Sequence, residues 1–362
     1  MPKRLLMAGG LVLAAIVMIL GLAFVYRTSS RLLSILRPRV PADIKKARVV
    51  VGNTLVSKSL YYRDPSLNVV TDIEQGDDGN LVIAGETGAV FLNLDLHPSS
   101  TVHYPRCMSD VVVVPLKNGR FLCRGSWSQD TTLFDVAGQK VLSYGARSPG
   151  IDDTAGGVMD GAGVVVVGLN GSGGVVLLNS QGHELWKEPG GNIWHVEIVA
   201  PDNGGDNVIL HSDAKGQLTQ RDAGGKILAH YTAPTYVSHF SMTSWIDHYT
   251  RNKLITASRE SLYVLAMDGS TLARLPAPGT AAVDEAKGTA VHFPGKAVAY
   301  AALVPRRIWN RSVLYMYDRQ NQLIYQEVLD HNCGALFAHS NGNGGEDLFV
   351  GCDGAVWKYT VN

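Results

Sequence analysis

The sequence predicts an all-β protein, a seven-bladed β-propeller with eight blades left open, preceded by an N-terminal transmembrane helix. Three observations lead there. Strand–turn–strand phrases recur along the chain, their spacing stays near 45 residues, and one uncharged apolar run precedes the first of them. The expected boundaries are 1–27 for the anchor, 28–47 for a basic juxtamembrane linker and 48–362 for the propeller.

Composition sets the frame for this reading. A chain of 362 residues with 46% hydrophobic and 18% charged side chains can bury a large core. Its 32 Lys plus Arg balance 32 Asp plus Glu, so no global field favours nucleic acid, and none is expected as a partner. The 39 glycines are scattered in GN, DG, GG and NG pairs, which suits short strands joined by tight turns.

Leu5 to Tyr26, LLMAGGLVLAAIVMILGLAFVY, runs 22 residues without a charge. At about 1.5 Å per residue a helix of that length crosses a hydrocarbon core of about 30 Å. A cleaved signal peptide has a shorter apolar region and a small-residue cleavage site, whereas Phe24, Val25 and Tyr26 end this one. A retained anchor is therefore expected, with the membrane as a partner through residues 5–26. Arg27, Arg31, Arg37 and Arg39 would by charge bias hold the C-terminal side of the anchor in the cytoplasm. The very short N-terminal tail and the cysteines argue instead for a single-pass protein of the inner membrane, its propeller on the periplasmic or extracytoplasmic side. RLLSILR, between the Thr28–Ser30 hydroxyls and Pro38, reads either as a short helix on the membrane surface or as a plain stalk.

GVVLLNSQGHELWKE, from Gly174 to Glu188, is a strand, a polar turn and a second strand, and LFDVAGQKVLSY, LTQRDAGGKILAHY, VLAMDGSTLARL and LYMYDRQNQLIYQ repeat its plan. Gly or Asn stands where the turn needs a left-handed backbone. A further strand precedes each hairpin, and starts indexed at Asn80, Arg120, Gly163, Asn207, Lys253, Lys296 and Asp347 lie 40 to 51 residues apart. That is the period of propeller blades. The last unit offers GALFAHS, DLFVGC and GAVWKYTV and then stops at Asn362, one strand short. RVVVGNTLVSKSLYY, Arg48 to Tyr62, has no unit of its own and can supply that outermost strand, leaving no long edge unpaired.

At NSQGHELW, DVAGQKVL and DAGGKIL the chain resembles the quinoprotein-like (PQQ-like) propeller repeat, whose outer hairpin carries an Asp turn, Gly-Lys and a closing Leu-Trp. Trp186 alone holds the closing tryptophan, with Tyr144, Tyr231 and Tyr325 near it in other repeats. This resemblance is closer to a small member without a cofactor, similar to the periplasmic propeller scaffold of outer-membrane-protein assembly. It implies protein–protein interaction in an envelope complex, with other envelope or membrane proteins as partners. WHVEIVAPDNGGDNVIL and MSDVVVVPLKNGRFL also resemble the His-bearing inner strand of propeller arylsulfotransferases, which implies the alternative of an enzyme, sulfotransferase-like or quinoprotein-like, with its site in the channel.

Four cysteines form two pairs, Cys107 with Cys123 and Cys333 with Cys352. Folding CGALFAHSNGNGGEDLFVGC about its glycines sets Cys333 opposite Cys352, which suits a cross-strand disulfide. Cys107–Cys123 holds matching positions on a shorter hairpin. The competing reading is four free thiols in a cytoplasmic protein. No metal site is expected, because CxxC is absent and neither pair has His at zinc spacing.

Inner strands line a propeller's channel, so the chemistry-bearing candidates are taken from them. His195, His239 and His292 are the catalytic candidates, accompanied by Asp72, Asp110, Trp194, Glu197 and His339. No nucleophile–base pair is visible locally. The Asn- and Gly-rich turns at 74–80, 201–207 and 340–347 read as hairpins rather than calcium loops. Arg306–Arg307 and Asp152–Asp153 read as exposed loop charges.

Overall fold

In the computed structural model, residues 1–55 are described only at Met18, and residues 56–361 are described apart from 76–80, 94–96, 105–108, 114–120, 125–129, 136, 146–149, 201–204, 235–242, 248–250, 281–284 and 307–310. For 109–113, 121–124, 243–247 and 251–252 the backbone alone is described. The expected anchor, the RLLSILR segment, His239, Cys107, Arg307 and the Cys123 side chain thus lie outside the described residues. Among the described residues no helix is long and apolar enough to cross a membrane.

Among the described residues, the unit from Pro41 onward holds seven four-stranded antiparallel sheets. Blades 1 to 6 take their strands in chain order from residues 70–103, 109–145, 151–188, 193–232, 243–276 and 287–329. Blade 7 combines 335–361 with the N-terminal strand Val56–Arg63. The first strand of each blade is innermost and touches the innermost strands of the blades before and after it, including blade 7 against blade 1. The ring therefore closes.

Each sheet buries side chains on both faces, and the cores lie between blades. One joins Val165, Val167 and Val176 of blade 3 to Leu133 and Leu142 of blade 2. Another joins Val70, Ile83 and Val90 of blade 1 to Phe349 and Val356 of blade 7. A lone four-stranded sheet would leave one such face wet, which is why the unit must repeat and close.

The outer hairpin shows how the repeat is encoded. In blade 2 the Asp135 carboxylate accepts the N–H groups of Ala137 and Gln139 at 2.9 and 2.8 Å. In blade 3 Asn179 accepts those of Gln181 and His183 at 3.0 and 2.9 Å, and in blade 6 Asp318 does the same for Gln320 and Gln322. The fourth turn residue has positive φ, 83° at Gly182 and 86° at Gly225. The absence of a side chain there lets the preceding blade approach: a Cβ on Gly225 would lie 3.0 Å from the Trp186 ring, whose Nε1 donates to Ala223 O at 2.8 Å. Trp186 closes one hairpin and seats the next.

The Val56–Arg63 strand pairs antiparallel with the last strand, from Val56↔Val361 to Arg63↔Ala355. Lys58 fastens it outside the ladder. Its ammonium lies 3.0 Å from Glu327 on blade 6 and 4.7 Å over the Trp357 ring, and Glu327 also accepts the hydroxyls of Tyr325 and Tyr359.

Cys333 and Cys352 form a disulfide in this blade, both almost fully buried, between the start of the inner strand and the end of its neighbour. With a sequence separation of 19 residues, the chain-entropy account gives about 3 kcal/mol from the restricted unfolded chain. Cys333→Ala with Cys352→Ala should therefore lower the unfolding free energy by about 2–4 kcal/mol in denaturant titrations. A double variant as stable as the parent would remove the disulfide from the account.

Candidate functional site in the channel

The channel-facing chemistry is set by a bulge. Near the start of the inner strand the pairing slips by one residue in blades 1, 3 and 4, between Val70 and Asp72, Ile151 and Asp153, and Ile193 and His195. A bulge re-aims the side chain that comes after it. Asp72, Asp153 and His195 thus hold equivalent places on three blades, and Glu74 and Glu197 stand two residues further along.

Two of these carboxylates serve the backbone first. Asp72 accepts the N–H of Ile73 at 3.0 Å and Asp153 that of Thr154 at 2.9 Å. Asp153 also reaches across to blade 4, where its other oxygen accepts the Val196 N–H at 2.9 Å and lies 3.2 Å from His195 Nδ1. An innermost strand has no ladder partner on its channel side, so a carboxylate from the next blade supplies an acceptor that backbone cannot. Asp152 and Asp153 consequently belong to an inner strand rather than to the exposed loop expected from sequence. Arg306 is likewise buried, 5% exposed at the end of the second strand of blade 6.

His195 sits between two acids, its Nε2 lying 3.4 Å from Glu197. Lys287 of blade 6 donates to Thr71 O of blade 1 at 2.8 Å. Glu74 keeps contact with the solvent of the channel, yet protein surrounds it there. Loss of water around the carboxylate, then the charges of Asp72 and Glu197, push its carboxyl from 4.5 up to about 8 against the pull of Lys287. The channel therefore holds a carboxyl raised to about 8 on blade 1 and a histidine oriented by carboxylates on blade 4. Among the described residues no group of three His, Cys, Asp or Glu is placed to hold a metal ion.

The other candidate histidine lies elsewhere. His292 comes after the inner strand of blade 6, in the turn to its neighbour, where its N–H donates to the Glu346 carboxylate at 2.7 Å and its carbonyl accepts the Glu346 N–H at 2.8 Å. Inner strands all run the same way through a ring of rotated blades, so His195 near a strand start and His292 beyond a strand end sit toward opposite faces. At about 3.3 Å per residue they are separated along the channel by on the order of 15 Å. His339 stacks on Phe337 at 6.0 Å. The role of Asp153 and the raised Glu74 carboxyl escaped the sequence reading, although the shared spacing of Asp72 and Asp153 from their strand starts was a usable signal.

No protein-family model matches the chain, and no curated protein does. Solved structures do match. A catalytically inactive virginiamycin B lyase from Staphylococcus aureus with quinupristin superposes with a TM-score of 0.60 at 10% identity, covering 85% of this chain and 99% of that one. BBS1N in complex with ARL6DN gives 0.57 at 14% identity, covering 84% and 97%. The fold is a β-propeller. At such identities the likeness carries the propeller architecture and no chemistry, and the expected PQQ-like membership finds no matching family model.

Glu74 makes the propeller pH-sensitive in a stated direction. A carboxyl whose folded value is raised gives stability that is full below its unfolded value near 4.5 and is lost as pH rises through about 8. Glu74→Gln should therefore melt higher than the parent at pH 9 and close to it at pH 5. Equal melting differences at both pH values would refute the assignment.

Proposed function

We propose that the chain is a membrane-anchored, extracytoplasmic propeller acting as a protein–protein interaction scaffold in an envelope complex. The observation that carries this reading is a repeated apolar position on the outer rim. Leu185, Leu228 and Leu272 come after the outer turns of blades 3, 4 and 5 at the same repeat place, and each is half exposed, at 52, 50 and 52%. Large side chains left in water on three successive blades suit a partner that lies along the rim. BBS1N, solved with ARL6DN, offers the same fold with a protein bound. The channel histidines lend less to the alternative of an enzyme, because His195 is occupied with Asp153 and Glu197 while His292 is placed toward the other face.

The anchor at residues 5–26 and the buried disulfide support the extracytoplasmic placement, since structural disulfides persist in oxidising compartments. Leu185→Glu, Leu228→Glu and Leu272→Glu together should release copurifying membrane partners in detergent pull-downs, with losses of tenfold or more. His195→Ala with His292→Ala should leave them bound. The reverse pattern, with partners retained by the rim variant and an aryl-sulfate turnover abolished by the histidine variant, would favour the enzyme.

A further inference from the structure

The turn SNGNGGED, 340–347, joins the inner strand of blade 7 to its neighbour and carries two Asn-Gly pairs in succession, Asn341–Gly342 and Asn343–Gly344. A third described pair, Asn170–Gly171, lies between the second and third strands of blade 3. Such a pair is chemically vulnerable for a steric reason. Glycine has no side chain to keep its own nitrogen away from the carboxamide carbon of the asparagine before it. The fold then decides whether both partners are at liberty to meet.

Two of the three pairs are restrained. In blade 3 the Asn170 carboxamide donates to Asp152 at 3.0 Å, and the Gly171 N–H donates to Asn192 Oδ1. In the blade 7 turn Asn341 Oδ1 accepts the Asn343 N–H at 3.0 Å, and the Gly342 N–H donates to Ser340 Oγ at 3.4 Å. The Asn341 N–H also closes the turn on Gly345 O at 2.9 Å. Asn343–Gly344 differs. Asn343 is exposed, and among the described residues no hydrogen bond holds its carboxamide or engages the Gly344 N–H. A Cβ at Gly344 would meet nothing within 4 Å, and its φ of 76° favours glycine. The turn thus demands the residue that makes the pair reactive and leaves open space around it.

We propose that Asn343 is a site of spontaneous covalent modification, its carboxamide converted to a carboxylate through a cyclic imide. The Gly344 nitrogen gives its proton to water and attacks Asn343 Cγ. A ring N–C bond forms there as the bond from Cγ to the side-chain nitrogen breaks, and that nitrogen leaves as ammonia after taking a proton from water. Water then opens the five-membered imide at either carbonyl, giving aspartate, or isoaspartate with the chain running through the side chain. The net change consumes one water and releases one ammonia, with no oxidant or reductant. Either product sets a new negative charge in the turn that carries Glu346 and Asp347, whose carboxylates hold the His292 N–H at 2.7 Å and Lys358 Nζ at 3.2 Å. Isoaspartate also lengthens a turn seated on Pro294, where a Cβ at Gly345 would already lie 2.6 Å from the ring. The change falls at the junction of blades 6 and 7, in the blade that closes the ring.

The full chain, aged at neutral pH below its melting temperature, tests this. Peptide mass spectrometry with backbone fragmentation follows the amide-to-acid conversion at Asn343, Asn341 and Asn170, and enzymatic methylation of isoaspartyl carboxylates counts the rearranged product. Conversion at Asn343 is expected to run at least tenfold faster than at the other two. In guanidinium chloride, where the hydrogen bonds of the fold are gone, the three rates should converge. Asn343→Gln, whose longer side chain disfavours the ring, should lose conversion at this position and keep its melting temperature on ageing, while the aged parent melts lower. Conversion at Asn343 no faster than at Asn341 in the folded chain, or the same ranking in denaturant, would overturn the proposal.

Discussion

The pairing of Val56–Arg63 with the last strand is the interaction on which the rest of the structure depends. Cores in this protein lie between blades, so no blade is stable by its own burial, and an open ring would expose the faces of its two terminal blades at once. Blade 7 is the one blade built from both ends of the propeller sequence, and its inner strand meets that of blade 1. The disulfide, the Lys58–Glu327 pair and the packing of Tyr61 on Phe349 at 4.6 Å all fall in or against this blade. Reinforcement is concentrated where opening would begin.

A closed ring also explains the division between the channel and the rim. Inner strands have one unpaired side, and the carboxylates of Asp72 and Asp153 answer that need before any other. Loss of water around Glu74 and, after it, the charges of Asp72 and Glu197 raise its carboxyl. The outer strands face no such demand and can present leucines to a partner. The proposed scaffold role rests on this division.

The parts of this arrangement that could be read in the sequence are those fixed by local chemistry. Asp135, Asn179, Asp222 and Asp318 announce their turns because each side chain bonds backbone two to four residues on. Cys333 and Cys352 were legible because one hairpin joins them. The role of Asp153 was not, since it depends on how one blade is rotated against the next, which leaves no local mark. The candidate histidines were chosen for lying on inner strands, yet strand membership alone does not say toward which end of the channel a side chain lies. His195 found neighbours on another blade that way, and His292 was placed with Glu346 instead.

The central claim, closure by the N-terminal strand, is tested most directly by amide hydrogen exchange of Ala355–Val361 in the full chain and in Ser59→Pro with Leu60→Pro, which together remove one donor facing the last strand because successive N–H groups of a strand point to opposite sides. The account predicts slow exchange across Ala355–Val361 in the parent and at least tenfold faster exchange there in the variant, spreading to the core shared by blades 7 and 1. Exchange in Ala355–Val361 that is already fast in the parent, or unaltered by the prolines, would contradict it.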